Sequence, residues 1–199
     1  MSTGQGAARL TAQLSAHRVV LIRHAEPEIE PAIPAAEWRL SAAGRDAAAS
    51  LAGRLGDYSF ACVTSSPEPK ALETAQAMGA KLGGLPVEVH AGFSEHARRS
   101  AGFRSHRDLD AAIAAFFNHR ATVVFGEESA NRALARFSAA LERTLLGAAR
   151  DIAVVSHGTI LSLYVSRAMQ LDPLPFWRAL PMPAAIVLDA GRMRLLKPG

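Results

Sequence analysis

The stretch Val19 to Glu26, with the sequence VVLIRHAE, constrains the fold of this chain more than any other stretch. Four apolar residues that favour β-structure run without interruption into Arg23 and His24. An unbroken apolar run is typical of a strand buried on both faces, as in a parallel sheet covered by helices. Polar residues directly after such a strand lie at its carboxyl end, where open α/β sheets bind ligands. We therefore expect a parallel sheet with a polar site at the end of this strand.

The rest of the chain alternates between strand patterns and helix patterns. Strands are predicted over about 18–23, 60–64, 87–90 and 152–155, helices over 42–55, 67–82, 109–118, 129–149, 159–171 and 173–180, and a closing hairpin from 185–188 and 193–196. This alternation predicts an α/β fold, a three-layer sandwich with a mainly parallel central sheet flanked by helices. The length of 199 residues suggests a single domain over 1–199. Within it we expect a loosely ordered tail at 1–17 and a lid or insertion over the site at 92–128.

Composition and charge disfavour two classes of partner, nucleic acids and membranes, and indicate a compartment. The net charge is +4, but the basic residues are scattered and lack the aromatic interleaving of nucleic-acid surfaces, so no nucleic acid is expected. The N-terminus lacks the apolar core of a signal peptide and no stretch is apolar enough to span a bilayer, which predicts a cytoplasmic protein with no membrane partner. The single cysteine, Cys62, excludes an internal disulfide and is expected to be an inert core residue. No pattern indicates an oligomeric state.

Two histidines that follow buried strands are the centre of the predicted site. His24 ends LIRH and His157 ends VVSH, and parallel strands bring their carboxyl ends to one edge of a sheet, so the two rings are expected to meet. A metal site is disfavoured, because no neighbouring pattern has metal-ligand spacing, and no cofactor is expected. An oxyanion site is favoured by the guanidinium of Arg23, the charge of Lys70 and the free N–H groups of a helix start at 65–67. In the alternative interpretation, Arg23, His24 and Lys70 are ordinary solvated residues.

The same residues carry a resemblance to a known family. Arg23-His24-Ala25 is similar to the Arg-His-Gly motif of the histidine phosphatase (phosphoglycerate mutase-like) superfamily. Further similar stretches follow in the family's order over roughly residues 19–190: 40–44 with its Leu-Thr-x-x-Gly, 64–75 with its Ser-Ser-Pro-x-x-Arg-Ala-x-x-Thr-Ala, 126–129 with its Gly-Glu-Ser, and 154–159 with its second-histidine strand. One match alone would carry little weight, whereas the ordered set is specific.

The resemblance implies a covalent mechanism and assigns roles to five residues. His24 would attack phosphorus and form a phosphohistidine that water hydrolyses, while Arg23, Lys70 and His157 bind the phosphoryl oxygens. Lys70 departs from the family, which has an arginine there. Lysine keeps the charge but loses the bidentate fork, at a cost of about 1–3 kcal/mol in the transition state. Glu95 fits the family's proton donor, and its alternative interpretation is a solvated loop glutamate.

The expected function is a metal-independent phosphomonoesterase that acts on a small phosphorylated metabolite or a phosphoprotein. A mutase that transfers the phosphoryl group is one alternative, although mutase members are typically longer in the segments that cover the site. A non-catalytic phosphate-binding protein is the other, and Lys70 would then be a sign of decay. The lid carries Arg98, Arg99, Arg104 and Arg107, which are either solvated or available to extra acidic groups on a substrate. The sequence does not identify the substrate.

Overall fold

The computed structural model describes residues 18–189 and 192–198, so the predicted tail at 1–17 lies outside the described residues. The strands are β1 (Val19–Arg23), β2 (Phe60–Ser65), β3 (Val87–Val89), β4 (Asp151–Ser156), β5 (Ala184–Asp189) and β6 (Arg192–Leu196). The helices are α1 (Ala42–Gly53), α2 (Pro69–Lys81), α3 (His106–Asn118), α4 (Ala130–Leu146), α5 (Gly158–Met169) and α6 (Pro173–Ala179). Three short 3-10 turns occupy 35–37, 91–93 and 99–101.

The strands form one sheet in the order β3-β2-β4-β1-β5-β6. The pairs β1/β4, β2/β4 and β2/β3 are parallel, whereas β5 pairs antiparallel with both β1 and β6. The predicted mainly parallel sheet with a closing hairpin is therefore confirmed. In the β1/β4 pair, Arg23 stands opposite Ser156, so the residues that come next, His24 and His157, follow adjacent strand ends.

Helices cover both faces of this sheet. Along β1, Val20 and Ile22 pack into an apolar cluster with α1 and α2, while Val19 and Leu21 pack into a second cluster with α3, α4 and α5. Strand side chains alternate between faces, so a strand that is apolar throughout serves two cores at once. The predicted three-layer sandwich is confirmed. No helix within 18–189 and 192–198 is both long and apolar enough to cross a membrane.

Two helices begin two or more residues from their predicted starts, and one residue is less buried than predicted. Helix α2 starts at Pro69 rather than at residue 67, because the Ser66 hydroxyl accepts from the N–H of Glu68 and closes a turn first. Helix α3 starts at His106, capped by Ser105, three residues earlier than the apolar stripe indicates. Cys62 is half-buried rather than in the core, because the register of β2 against β4 shifts between Phe60 and Val63.

Candidate active site

The rings of His24 and His157 meet at the carboxyl edge of the sheet. Their centroids are 5.1 Å apart and their planes cross at 62°. Both residues are almost fully buried, with 7% of His24 and 1% of His157 exposed. The backbone N–H of His24 donates to the carbonyl of Ser156 at 2.9 Å, which continues the strand pairing up to the site. The predicted convergence of the two histidines is confirmed.

The hydrogen bond of His24 determines which ring nitrogen is available. Its Nδ1 lies 2.8 Å from the carbonyl oxygen of Ala25. A carbonyl can only accept, so Nδ1 carries the proton and Nε2 keeps its lone pair. Burial, together with the neighbouring His157 ring and the charge of Lys70, lowers the pKa of His24 well below its ordinary value. The imidazole is therefore neutral at physiological pH, which is the form that can act as a nucleophile.

His157 faces polar groups from the α2 side of the site. Its Nε2 lies 2.8 Å from the hydroxyl of Ser66 and 3.4 Å from Oε1 of Glu68. Burial and the charge of Lys70 lower its pKa well below the ordinary value, against the opposing effect of Glu95. A neutral ring with one N–H can donate a hydrogen bond to an oxyanion, as the predicted phosphate-binding role requires.

Glu68 is a site residue that the sequence analysis did not identify. Its Oε2 accepts from the ammonium of Lys70 at 2.6 Å, and its Oε1 accepts from the backbone N–H of Glu95 at 2.9 Å. Lys70 is 5% exposed and donates a second bond to the carbonyl of Ala35 at 2.7 Å. One carboxylate thus connects Lys70, Glu95 and His157. The available signal was its position between Pro67 and Pro69, which holds the backbone of a charged residue rigid beside the predicted site.

The prediction that the helix start at 65–67 offers free N–H groups is wrong. Three N–H groups of this turn have partners within the chain: Ser66 donates to the carbonyl of Val155, Glu68 to the hydroxyl of Ser66, and Lys70 to the carbonyl of Trp38. The prolines at 67 and 69 have no N–H to offer. The anion-binding capacity of this segment therefore comes from the side chain of Lys70 and not from the backbone.

The carboxylate of Glu95 occupies the N-terminal end of α5. It accepts from the N–H groups of Thr159 at 3.1 Å and Ile160 at 3.0 Å, and from the N–H of His96 at 3.0 Å. Burial raises the pKa of Glu95, but the contact with His96 and the charge of Arg98 outweigh burial and hold this pKa well below its ordinary value. Glu95 is thus ionised at neutral pH, whereas the predicted proton donor must be protonated when it acts.

A second residue that sequence reasoning missed, Arg136 of α4, fixes the segment that carries Glu95. Its guanidinium donates to the carbonyls of Gly92 at 2.9 Å, Ser94 at 3.0 Å and Glu95 at 3.1 Å. It also binds both carboxylate oxygens of Glu128, at 3.1 and 2.8 Å. No local pattern marks Arg136. The three carbonyls that it binds lie more than 40 residues away in the chain, and Glu128 lies in the loop before α4.

Arg23 lies against the start of α5. Its Nη1 donates to the carbonyl of Leu180, and its Nε is buried without a hydrogen-bond partner in the described part of the chain. A Cβ on Gly158, the residue after His157, would stand 3.0 Å from Nε, so a larger residue there would have to shift the guanidinium. Burial lowers the pKa of Arg23 to about 10, and the group stays positively charged. The structure thus brings this predicted phosphate-binding residue beside His157.

A cavity of about 620 Å³ lies next to the histidine site: Glu68, which contacts His157, lines it, whereas His24 and His157 do not. Its wall includes Glu68, Lys70 and Glu95, which also contact one another in the site. The rest of the wall comes from 34–38, from the loop at 91–104, and from Pro67, Pro69, Leu109, Phe125, Glu128 and Arg136. Among the residues that the structure describes, no group of three or more His, Cys, Asp or Glu side chains is arranged to hold a metal ion.

Comparison with known proteins gives a family and a set of similar folds. The sequence matches the profile of the histidine phosphatase superfamily (branch 1) over residues 19–189. The fold is similar to an alpha-ribazole phosphatase from Shigella flexneri, at 25% identity and TM-score 0.66, with 91% of this chain and 95% of that chain covered. It is also similar to a mycobacterial glucosyl-3-phosphoglycerate phosphatase solved with VO3, at 22% identity and TM-score 0.70, with 92% and 98% covered. A phosphoserine phosphatase from Entamoeba histolytica gives 19% identity and TM-score 0.68, with 91% and 95% covered. No curated protein sequence matches the chain.

Proposed function

Since this chain belongs to the histidine phosphatase superfamily, we propose that it hydrolyses phosphate monoesters through a phosphohistidine on His24, without a metal ion. The observation that carries the proposal is the neutral imidazole of His24, whose Nδ1 is committed to the Ala25 carbonyl at 2.8 Å and whose Nε2 is free to attack. The solved structures with similar folds described above are named as phosphatases, which favours hydrolysis over transfer to a second acceptor.

The reaction proceeds in two displacements at phosphorus. In the first, Nε2 of His24 forms a P–N bond while the bond from phosphorus to the leaving oxygen breaks, and the leaving oxygen takes up a proton. In the second, water attacks phosphorus, the P–N bond breaks, and inorganic phosphate leaves with His24 restored. Because such transition states spread charge over three equatorial oxygens, positioned donors contribute most of the catalysis. Arg23, His157 and Lys70 supply those donors.

Lys70 binds the phosphoryl group in competition with Glu68. Its ammonium donates to Oε2 of Glu68 at 2.6 Å, and the other oxygen of that carboxylate, Oε1, lies 3.4 Å from Nε2 of His157. A phosphate dianion is a stronger acceptor than a carboxylate and carries twice its charge, so it displaces Glu68 from these donors. We infer that the lysine at this position works together with Glu68, as an ion pair that opens when phosphate binds.

Glu95 serves both half-reactions in this scheme. Its carboxylate is ionised in the free protein, but a phosphate dianion nearby disfavours the charged form and raises the pKa of Glu95 toward that of a usable acid. After the leaving group has departed, the ionised carboxylate accepts the proton of the attacking water. The segment 92–128, which carries Glu95 and part of the cavity wall, acts as the cover of the site. The substrate class is a small phosphorylated metabolite or a phosphoprotein.

The direct test is hydrolysis of p-nitrophenyl phosphate in the presence of EDTA. We expect activity that EDTA does not remove and that His24→Ala reduces by at least about a thousandfold, the scale of losing a nucleophile. His119→Ala, which alters an exposed histidine at the end of α3, is the matched control and should keep full activity. A base-stable, acid-labile phosphoprotein should accumulate in a rapid quench of the unaltered chain.

Four outcomes would overturn the proposal. Full activity of His24→Ala would exclude the phosphohistidine, and loss of activity in EDTA would indicate a metal-dependent site. Tight phosphate binding without hydrolysis of any of a broad set of phosphoesters would favour the non-catalytic alternative. Movement of phosphate between two positions of a substrate, without release, would favour the mutase.

A further inference from the structure

Two guanidinium groups converge on one aromatic ring in the cavity wall. The Cζ of Arg98 lies 5.6 Å and the Cζ of Arg104 lies 5.0 Å from the ring centroid of Phe125. All three residues line the cavity, and the ring itself is buried, with 5% exposed. Two like charges held against the same ring repel each other, and the face of an aromatic ring compensates them only in part.

These two cations are paired with carboxylates less closely than the other cations of the wall. Arg99 pairs with Glu37, Arg136 pairs with Glu128, and Lys70 pairs with Glu68. By contrast, Arg98 comes no closer than 3.9 Å to Glu95, and its Nη1 is buried without a hydrogen-bond partner in the described residues. Arg104 is exposed, and the contact with Phe125 is made without an ion pair to any carboxylate within 18–189 and 192–198. A buried unpaired donor is costly, so this corner of the cavity favours an anion that would pair with it.

The position of this pair of arginines indicates which part of a substrate would reach it. Glu95 and Lys70 lie in the same cavity wall and also contact the histidine site. A leaving group that extends from His24 past Glu95 would enter this cavity. Arg98, which lies 3.9 Å from Oε2 of Glu95, is close to the point where the bond to the leaving oxygen would break.

We propose that the preferred substrate of this site carries a second anionic group on its leaving portion, and that Arg98 and Arg104 bind that group. A carboxylate and a second phosphate both present the pair of oxygens that a guanidinium fork binds with two hydrogen bonds. The inference rests on the proposed phosphatase function and adds to it the chemical class of the leaving group. The unpaired Nη1 of Arg98 and the two charges on Phe125 are the observations that support it.

Matched substrate pairs test this inference on the full-length protein. O-phosphoserine and O-phosphoethanolamine differ by one carboxylate, and fructose 1,6-bisphosphate and fructose 6-phosphate differ by one phosphate. In one of the pairs, we expect kcat/KM to be at least about tenfold higher for the substrate that carries the second anionic group, since a charge-assisted hydrogen bond in a cavity has an effect of that size. The pair that shows the preference identifies the second group as a carboxylate or a phosphate.

Substitutions in the loop locate the preference. Within a substrate pair, the ratio compared is kcat/KM for the member with the second anionic group divided by kcat/KM for the member without it. Arg104→Gln and Arg98→Gln should each reduce this ratio toward one. Arg104→Gln is the more informative variant, because Arg98 forms an ion pair with Glu95, whereas Arg104 contacts Phe125. Arg107→Gln removes an exposed guanidinium that does not line the cavity and should leave the ratio and the activity unchanged.

The results that would overturn the inference differ from those that would overturn the proposed function. Equal kcat/KM within both pairs, or a ratio that neither Arg98→Gln nor Arg104→Gln changes, would exclude a second-anion subsite while p-nitrophenyl phosphate is still hydrolysed. Absence of hydrolysis of every ester, p-nitrophenyl phosphate included, would instead contradict the phosphatase function itself.

Discussion

At the scale of single residues, Glu68 and Lys70 form the least expected feature of the site. Lys70 occupies the position where the family has its second arginine, and it is buried together with its partner carboxylate. Burial lowers the pKa of Lys70, while the charge of Glu68 raises it. Removing either partner leaves the other as an uncompensated charge close to His157. The two substitutions are therefore expected to have opposite effects on the affinity of the site for phosphate.

Lys70→Met should weaken catalysis by about ten- to a hundredfold in kcat/KM, because it removes a charged donor worth about 1.5–3 kcal/mol. It also leaves the Glu68 carboxylate facing the incoming phosphate. Steady-state kinetics with p-nitrophenyl phosphate would measure the loss. Lys81→Met, at the exposed end of the same helix, is the control and should behave as the parent chain. An unchanged kcat/KM in Lys70→Met would show that Lys70 is only a structural partner of Glu68.

Glu68→Gln should tighten inhibition by inorganic phosphate by about tenfold, since one repulsive charge in a buried site is worth roughly 1–2 kcal/mol. The amide keeps an acceptor for the N–H of Glu95, so the local structure is retained. The inhibition constant of phosphate gives the answer, with Glu88→Gln on the exposed side of β3 as the control. Weaker phosphate inhibition in Glu68→Gln would contradict the competition between Glu68 and the substrate.

At the scale of elements, α4 and α5 together determine the position of the Glu95 carboxylate. The first residues of α5 bind its carboxylate through two backbone N–H groups, and Arg136 of α4 holds three carbonyls of its loop. The hydroxyl of Ser156 at the end of β4 adds a bond of 2.7 Å to the carbonyl of Phe93. The loop is thus fixed by elements that are distant in the chain and adjacent at the edge of the sheet.

Arg136→Gln should lower the free energy of unfolding by about 2–3 kcal/mol, because it leaves three carbonyls and the Glu128 carboxylate short of a charged donor. It should also reduce kcat more than it raises KM, since Glu95 is then held less firmly. Urea unfolding and steady-state kinetics on the same preparation measure both effects. Arg132→Gln, on the exposed face of α4, is the matched control. A stability loss with unchanged kcat would confine Arg136 to a structural role.

At the scale of the whole molecule, three buried histidines affect the response of the fold to acid. Burial is the largest cause of the lowered pKa at each of them, namely His24, His96 and His157. The side chain of His96 is fully buried against Phe116, at a centroid distance of 4.2 Å. In the unfolded chain these rings regain the ordinary histidine pKa of about 6.5. The unfolded state therefore binds more protons than the folded state below that pH.

The free energy of unfolding should accordingly be highest above about pH 6.5 and fall as the pH is lowered, by up to about 1.4 kcal/mol per pH unit for each such histidine. Urea unfolding between pH 8 and pH 5 measures this slope, and the window lies above the range where Glu95 takes up a proton. His96→Phe removes one titrating group from an apolar contact and should make the slope shallower. A stability that does not change between pH 8 and pH 5 would contradict the neutral, buried state of these rings.

The sequence by itself determined the layers, the parallel core of the sheet and the placement of His24 and His157. Each of these depends on short-range patterns: apolar runs of strand length, a histidine directly after each run, and the rule that parallel strands end at the same edge. The ordered motifs around these histidines pointed to the family that the profile match then confirmed. The roles of Arg23, Lys70 and Glu95 remain predictions.

The tertiary structure alone decided the ion pair of Glu68, the hydrogen bonds of Arg136 to the Glu95 loop, and the two guanidinium groups that contact Phe125. It also decided that the turn before α2 uses up its N–H groups. Each of these is a contact between segments that are distant in the chain or a choice among several nearby partners. Local patterning fixes which face of an element is buried, but polar groups select their partners only after the elements have packed.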